Sequence, residues 1–278
     1  VVLFVNQQLS SLKSLRVIPF GYFTGIQNMC LDLFFVQVVE KTKIPVLRFY
    51  GWNPFCISLG HHQKTENINF DKIQSFKADI VRRPTGGSAI YHAQELTYSL
   101  IIPRAGMTHH DLYFLFHNNL TAALNSLNIP VVLETGTDKT YLNQGNDTFA
   151  CFNRAAKSEI KYKGKKVVGS AQKLYPHIIL QHGSILMGNA HTKIIKFLNL
   201  NEEETVFQQD KLKNSSVSIE EISENKINPL QIADLLVNNL QKSLKINNIC
   251  YKYTEPYELK SAMNFYDKVK VNPDVKAS

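Results

Sequence analysis

The stretches of this chain that read as β-strands follow one another at hairpin-like spacing, and this limits the available folds more than any other feature. Residues 46–50 and 56–59 are apolar runs joined by a Gly-Trp-Asn-Pro turn. Residues 159–162 and 166–168 close around Gly164 as a hairpin. Residues 79–83, 97–102, 131–133, 178–180 and 184–187 complete the strand-like set. A regular parallel sheet needs a helical crossover between successive strands, and this spacing leaves no room for one at each step. Helices are expected at three places. Residues 25–41 carry Ile26, Met29, Leu33 and Val36 near one face; Leu112, Phe116, Leu120, Ala123, Leu124 and Leu127 recur at helical spacing after Thr108. Asn228 and Pro229 open a third, with Ala233, Leu236, Val237, Leu240 and Leu244 on one face. The expected fold class is α/β (α+β): a mixed, mostly antiparallel sheet with flanking helices.

The chain has 278 residues, of which 44% are hydrophobic, enough for a sizeable core. The polar region 201–228 is the one composition shift that resembles a boundary, and the segment beyond it is short for an independent core. We therefore expect a single domain over 1–278, with 201–278 as an appendage packed on it. Formal net charge is +8, which favours acidic partners. The basic residues are scattered and form no block with interleaved aromatics, so nucleic acid is not the expected partner. Cys30, Cys56, Cys151 and Cys250 lie far apart, with no C-x-x-C pair, which argues against a cysteine zinc site or a disulfide framework and fits a reducing cytoplasm. No run of eighteen apolar residues suggests a membrane span, and Val1 to Val5 are too few for a signal h-region.

The densest chemical signal is Arg82-Arg83-Pro84-Thr85-Gly86-Gly87-Ser88-Ala89-Ile90-Tyr91-His92, running into Glu95-Leu96-Thr97-Tyr98-Ser99. A glycine pair lets backbone N–H groups converge on a ligand, because no Cβ blocks the approach. Two adjacent guanidiniums add positive charge. Such a loop suits a carboxylate, a phosphate or a polarised acyl oxygen. Two further blocks strengthen it: Cys151-Phe152, and Lys165 to Lys173 with Gly169-Ser170-Ala171, followed by Leu180-Gln181-His182-Gly183-Ser184.

Cys151 lies between a Gly/Asn-rich stretch and the Lys165/Lys166 hairpin. Nearby cations would favour its thiolate and make it a nucleophile; the alternative is a buried, inert thiol. Cys30 and Cys56 sit in apolar contexts and read as inert. Strand alternation puts Lys166 and Val168 on one face, from which Lys166 could stabilise a developing oxyanion; a solvated hairpin lysine is the other reading. His92 and His182 suit a general base, a pocket-wall donor or a structural role. His61-His62 and His109-His110 have no third ligand at metal spacing and read as surface or cap residues.

Taken together, these blocks resemble the lipoate–protein ligase and octanoyltransferase family, closest to its cysteine-dependent octanoyltransferases. The resemblance is carried by Asn28-Met29-x-Leu31-Asp32, Phe49-Tyr50-Gly51-Trp52, Ser58-Leu59-Gly60 and the Arg82 to Gly87 loop. Glu95 to Ser99, Cys151-Phe152, Lys166 to Gln172 and Leu180 to Ile185 continue it, in family order, over roughly residues 20–190. Ser88, Ala93, Lys173 and Asn153-Arg154-Ala155-Ala156 depart from the pattern.

The resemblance implies the fold shared by biotin and lipoate ligases, related to the class II synthetase core. It implies octanoyl transfer from an acyl carrier protein to a lysine of a lipoyl carrier domain, such as the glycine cleavage H protein or a dehydrogenase E2 subunit. Cys151 would form the acyl-enzyme thioester and Lys166 would contact the acyl carbonyl. Arg82, Arg83, Thr85, Gly86, Gly87, Tyr91, His92, Gly169, Ser170, Ala171, His182 and Gly183 would line the acyl site. No cofactor is required, because one thioester replaces another; ATP enters only for the rival lipoate–protein ligase. A lipoyl amidotransferase shares the cysteine chemistry, and a non-catalytic lipoyl-domain binder is the alternative outside enzymes. A biotin ligase is disfavoured, since its Gly-Arg-Gly-rich loop is absent.

Overall fold

The computed structural model describes residues 12–135 and 158–272. In chain order, β1 (Ser14–Phe23) leads into helix α1 (Gly25–Thr42), followed by β2 (Val46–Trp52), β3 (Cys56–Leu59), α2 (Phe70–Ser75) and β4 (Asp79–Arg82). Next come β5 (Ile90–His92), β6 (Glu95–Pro103), α3 (His109–Asn125) and β7 (Val132–Thr135). After the undescribed stretch lie β8 (Ser158–Tyr162), β9 (Lys165–Lys166), β10 (Val168–Leu174) and β11 (Ile178–Leu186). A 3-10 segment (Asn189–Phe197) precedes α4 (Glu202–Ser215), α5 (Ile219–Ile222), α6 (Pro229–Leu244), β12 (Asn248–Tyr251), α7 (Pro256–Ala262) and α8 (Tyr266–Val269).

The main sheet has the order β10-β11-β6-β2-β1-β12. The pairings from β10 to β2 are antiparallel, and β1 pairs parallel with both β2 and β12. This is the expected mixed, mostly antiparallel sheet. β3 and β2, which the sequence links by a short turn, go to different sheets: β3 joins β4 and β5 in a second, three-stranded sheet. β7, β8 and β9 form a third, also of three strands.

Strand alternation sorts the main sheet into two faces. Leu47, Phe49, Leu96, Tyr98, Leu100 and Ile102 pack with α3 and α6 through Phe116, Leu120, Leu236 and Leu240. The opposite face meets α1, with Tyr50, Trp52, Ile101 and Leu180 against Met29, Leu31 and Phe35. Beyond α1, Ala262 and Phe265 of the C-terminal segment close the same cluster. This explains why the apolar residues of α1 are not confined to one stripe: it is covered on two sides. A capping box between Thr24 and Gln27 starts the helix beside the sheet.

β1 and α4 are among the elements that went unread in the sequence, and β11 was read in two pieces. β1 contains Pro19, which lacks a donor; the register to β2 shifts between Ile18 and Gly21, and the irregularity accommodates it. α4 occupies the polar region taken for a boundary, with Asn201 as N-cap and Glu202, Glu203 and Glu204 in its first turn, where acidic charge suits the helix dipole. β11 is one strand over the two stretches read separately. No helix among the described residues is long and apolar enough to cross a membrane.

Candidate functional site

The site grows from the α1 face of the sheet. One row across the strands is Arg48, Ser99, His182 and Ala171; the next is Tyr50, Thr97, Ser184 and Gly169. Each row ends on β10 in a residue with little or no side chain, which leaves space. Met29, Tyr50, Trp52, Ser58, Arg83 and Ile90 line the cavity there, with His92, Thr97, Gly169 to Ala171 and His182 to Ser184. Its volume is about 20 Å³.

Polar groups buried in this wall are tied in two carboxylate–imidazole–hydroxyl series. In the first, Asp32 of α1 forms an ion pair with the Arg48 guanidinium, and its second oxygen lies 3.1 Å from His182 Nδ1. His182 Nε2 is 2.7 Å from Thr85 Oγ1 in the glycine loop. Burial opposes the Asp32 charge, but Arg48 and His182 outweigh it and hold the carboxyl below the usual range. An ionised Asp32 only accepts, so Nδ1–H of His182 donates to it and Nε2 accepts from the Thr85 hydroxyl. Burial pushes His182 down, against the pull of Asp32, so the imidazole favours its neutral form. In this tautomer His182 is a tether for the loop.

In the second series, Glu95 Oε1 accepts from His92 Nδ1 at 2.7 Å, Thr97 Oγ1 at 2.5 Å, Ser184 Oγ at 2.9 Å and Trp52 Nε1 at 3.2 Å. His92 Nε2 is 2.7 Å from Ser58 Oγ, and its ring stacks on Trp52 with centroids 4.1 Å apart. Burial works against the Glu95 charge, but His92 and the hydroxyl donors hold its carboxyl below the ordinary range.

The glycine loop owes its shape to its two arginines. Arg83 is buried and donates to the Ser58, Gly86 and Ser88 carbonyls at 2.9, 2.9 and 2.8 Å. Arg82 donates to the Gly60, His61 and Gln63 carbonyls at 2.8, 3.1 and 2.7 Å. The guanidiniums expected beside a ligand thus bind backbone, and of the two only Arg83 reaches the cavity wall. Gly87 has φ +95°. A Cβ on Gly60 would stand 1.8 Å from the Gly87 carbonyl oxygen. Gly60→Ala is therefore expected to separate the two loops and cost about 1–3 kcal/mol in chemical denaturation, the range for overpacking.

On β10, Ser170 Oγ meets Tyr98 OH at 2.5 Å and His117 Nε2 at 2.9 Å, while Tyr113 OH donates to the Ser170 carbonyl at 2.7 Å. Burial pushes the Tyr98 phenol up to about 12, so it stays protonated. α3 therefore braces β10, which carries the cavity wall, from its own face of the sheet.

Of the residues singled out in the sequence, Arg83, His92, Gly169, Ser170, Ala171, His182 and Gly183 meet at this cavity. Thr85 is joined to it through His182, and the Gly86 carbonyl through Arg83. Tyr91 departs from the expectation. Alternation turns it to the other face of β5, against Phe197 at 5.0 Å between ring centroids. Lys166 lies outside the cavity lining; its Nζ is 2.7 Å from Glu159 Oε1. Cys151 falls outside the described residues. Burial pushes Cys30 up to about 12 and Cys56 well above the ordinary thiol value, as befits inert thiols. Asp32, Arg48, Glu95, Trp52, Ser58 and Ser184 carry the site's polar order, yet no role was read for them in the sequence. The available signal was a charge placed where an apolar residue belongs, as with Asp32 between Leu31 and Leu33 and Arg48 inside β2.

The family model of the lipoyl protein ligase A/B catalytic domain matches residues 25–241. The chain belongs to this family. The octanoyltransferase LipM of Bacillus subtilis (strain 168) is 32% identical over 254 residues, covering 88% of this chain and 89% of its own. That of Clostridioides difficile (strain 630) is 34% identical over 241 residues, covering 82% and 85%. These relatives make the chain an acyltransferase, in line with the resemblance read from its motifs. Among solved structures, a bipartite lipoate protein ligase from Thermoplasma acidophilum superposes with a TM-score of 0.74 at 16% identity, covering 92% of this chain and 93% of that one. Lipoate-protein ligase A bound with ATP gives 0.72 at 15% identity, covering 92% and 95%. At such identities they speak for the fold alone, and they bear out a lipoate-ligase fold.

Proposed function

We propose that this chain transfers an octanoyl group from an acyl carrier protein to a lysine of a lipoyl carrier domain, through a thioester on Cys151. The observation that carries the reading is the similarity to octanoyltransferases of the LipM type along most of both chains; the roles of Cys151 and Lys166 follow from the motif resemblance.

In the first step the Cys151 thiolate attacks the carbonyl of the donor thioester. A carbon–sulfur bond forms to Cys151, the bond to the carrier sulfur breaks, and the carrier leaves as a thiolate that takes up a proton. The acceptor lysine amine then attacks the acyl-Cys151 carbonyl. An amide forms, the Cys151 thiolate departs, and the amine proton is lost. One thioester replaces another, so ATP has no part in the energetics. Lys166 supplies positive charge to the oxyanion of each tetrahedral intermediate. The acyl chain enters between Met29, Ile90, Tyr50 and Trp52. At about 20 Å³ the cavity holds about one water. Loading therefore requires side chains to part, and Met29, unbranched and adaptable, is suited to yield. The net charge of +8 suits acidic carriers.

The test is intact-protein mass spectrometry after mixing with octanoyl-acyl carrier protein without ATP, beside Cys151→Ser. An octanoyl thioester on the wild type, discharged by a lipoyl domain, is expected. No adduct, with octanoate and ATP still modifying the lipoyl domain, would replace the reading by a ligase. No adduct from the carrier protein, but one from an octanoylated lipoyl domain, would replace it by an amidotransferase.

A further inference from the structure

The third sheet brings like charges face to face. Glu134 is the register partner of Glu159, and Lys161 is the partner of Lys166. Like charges directly opposite destabilise a sheet. The side chains resolve this along the diagonals and along β8. Lys166 Nζ lies 2.7 Å from Glu159 Oε1, Lys161 Nζ lies 3.3 Å from Glu159 Oε2, and Lys161 Nζ lies 2.7 Å from Glu134 Oε2. The result is a four-charge ladder of alternating sign across three strands.

The ladder is graded from surface to interior. Glu134 is 47% exposed and Lys161 22%, whereas Glu159 and Lys166 are 6% and 7% exposed. The outer rungs lie in solvent, where such pairs contribute little. The inner rung is buried, where desolvation offsets much of the attraction, so stability alone is a weak reason to keep it. Its geometric effect is large. A lysine side chain has four rotatable bonds and much rotamer freedom to lose. Glu159 anchors that side chain at its tip, and Lys161 in turn occupies the other Glu159 oxygen.

We propose that Glu159 is a positioning residue for acyl transfer: it holds the Lys166 ammonium where the acyl oxyanion develops, and the Lys161–Glu134 pair holds Glu159. This rests on the reading of Lys166 as the residue that meets the acyl carbonyl. The outer pair faces solvent, so its contribution is expected to weaken with salt, whereas the buried contact persists.

The experiment is a double-mutant cycle on the full chain, read as the single-turnover rate of Cys151 acylation by octanoyl-acyl carrier protein, with lipoyl-domain affinity measured in parallel. Glu159→Ala is expected to slow acylation by about 10²-fold, the scale of a misplaced reacting group, and to leave lipoyl-domain affinity unchanged. Lys166→Ala combined with Glu159→Ala is expected to be no slower than Lys166→Ala alone. Independent, multiplicative losses would overturn the proposal, because Glu159 would then act by another route. A slow Lys166→Ala beside a Glu159→Ala at wild-type speed would overturn it as well. Lys166→Ala at wild-type speed would remove the reading of Lys166 itself, and the proposal with it. Should Glu159→Ala fail to fold, Glu159→Gln keeps the shape and an acceptor oxygen without the charge. It is expected to slow acylation at least about tenfold by weakening the anchor, and wild-type speed would overturn the proposal.

Discussion

Cys151→Ala is expected to leave the protein folded, able to bind both carriers, and without measurable transfer. Under the proposed thioester mechanism, removing the nucleophile does more than delete one contact. The two-step route disappears, and what remains is direct aminolysis of the donor thioester by an acceptor lysine on another protein. By comparison with other enzymes that lose a covalent nucleophile, single-turnover transfer should fall on the order of 10⁴-fold or more. Three readouts belong together: transfer rate, acyl adduct mass and thermal midpoint. A rate within a few-fold of wild type at an unchanged midpoint would remove the thioester from the mechanism. Cys30 and Cys56 offer no ready substitute, since burial holds both protonated.

The largest effect on stability is expected at Asp32. Its carboxylate is fully buried and joins the Arg48 guanidinium to His182. Asp32→Ala leaves a buried cation without its counter-charge and frees the imidazole that holds Thr85. Breaking a buried pair from one side costs about 3–5 kcal/mol. In a chain of this size that lowers the thermal midpoint on the order of 10 °C. A drop of a degree or two would show that solvent compensates Arg48. The pH dependence has a definite sign. The folded pKa values of Asp32 and Glu95 lie below their usual ones, so the unfolded chain binds more protons in acid. Their stabilisation is complete above about pH 5 and is lost as pH falls through the unfolded carboxylate range, roughly 4, and on toward the depressed folded values. His182 is also depressed, and its share begins to fade below about pH 6.5. Denaturant unfolding at pH 7, 5 and 3 should therefore show stability falling monotonically, with the steepest loss in the last interval. Asp32→Ala should flatten that last limb.

The long helices α1, α3 and α6 were legible from periodicity, since each combines a start signal with an apolar pattern. The misreadings have physical causes at particular residues. β11 appeared as two strands because Gln181-His182-Gly183 interrupts an apolar run. Those residues break the pattern because His182 reaches the cavity, while the Gly183 position points to the opposite face, where Tyr98 and Ser170 close it. A Cβ on Gly183 would lie 2.6 Å from the Gly169 carbonyl oxygen, so the position has no room for a side chain. Local rules fail where the site is built. The glycine loop was legible as a site feature, but the work of its arginines was not, because the carbonyls they bind belong to Ser58, Gly60, His61 and Gln63 as well as to the loop itself. Tyr91 was grouped with His92 by proximity along the chain. The pleat separates such neighbours, and residues 90 and 92 line the cavity while Tyr91 packs with Phe197 in a separate apolar cluster that also takes in Ile57 and Leu59 of β3. The Asp32–His182–Thr85 series spans 150 positions in the chain between its first two members, beyond the reach of any local pattern.

The two faces of the main sheet give neighbouring residues different vulnerabilities. Phe49 packs toward α3, while Tyr50 lines the cavity on the other side of the same strand. The same holds for Leu96 and Thr97, and for Ile185 and Ser184. A substitution at one residue of such a pair endangers folding, and at the other it endangers turnover. At these cavity-lining pairs of β2, β6 and β11, substitution tolerance should therefore switch from one residue to the next between loss of abundance and loss of activity at normal abundance. The backbone that separates these outcomes also couples them. A core repacked on the α3 side moves the strands that carry the cavity, so adaptation to temperature and adaptation to substrate share the same few strands.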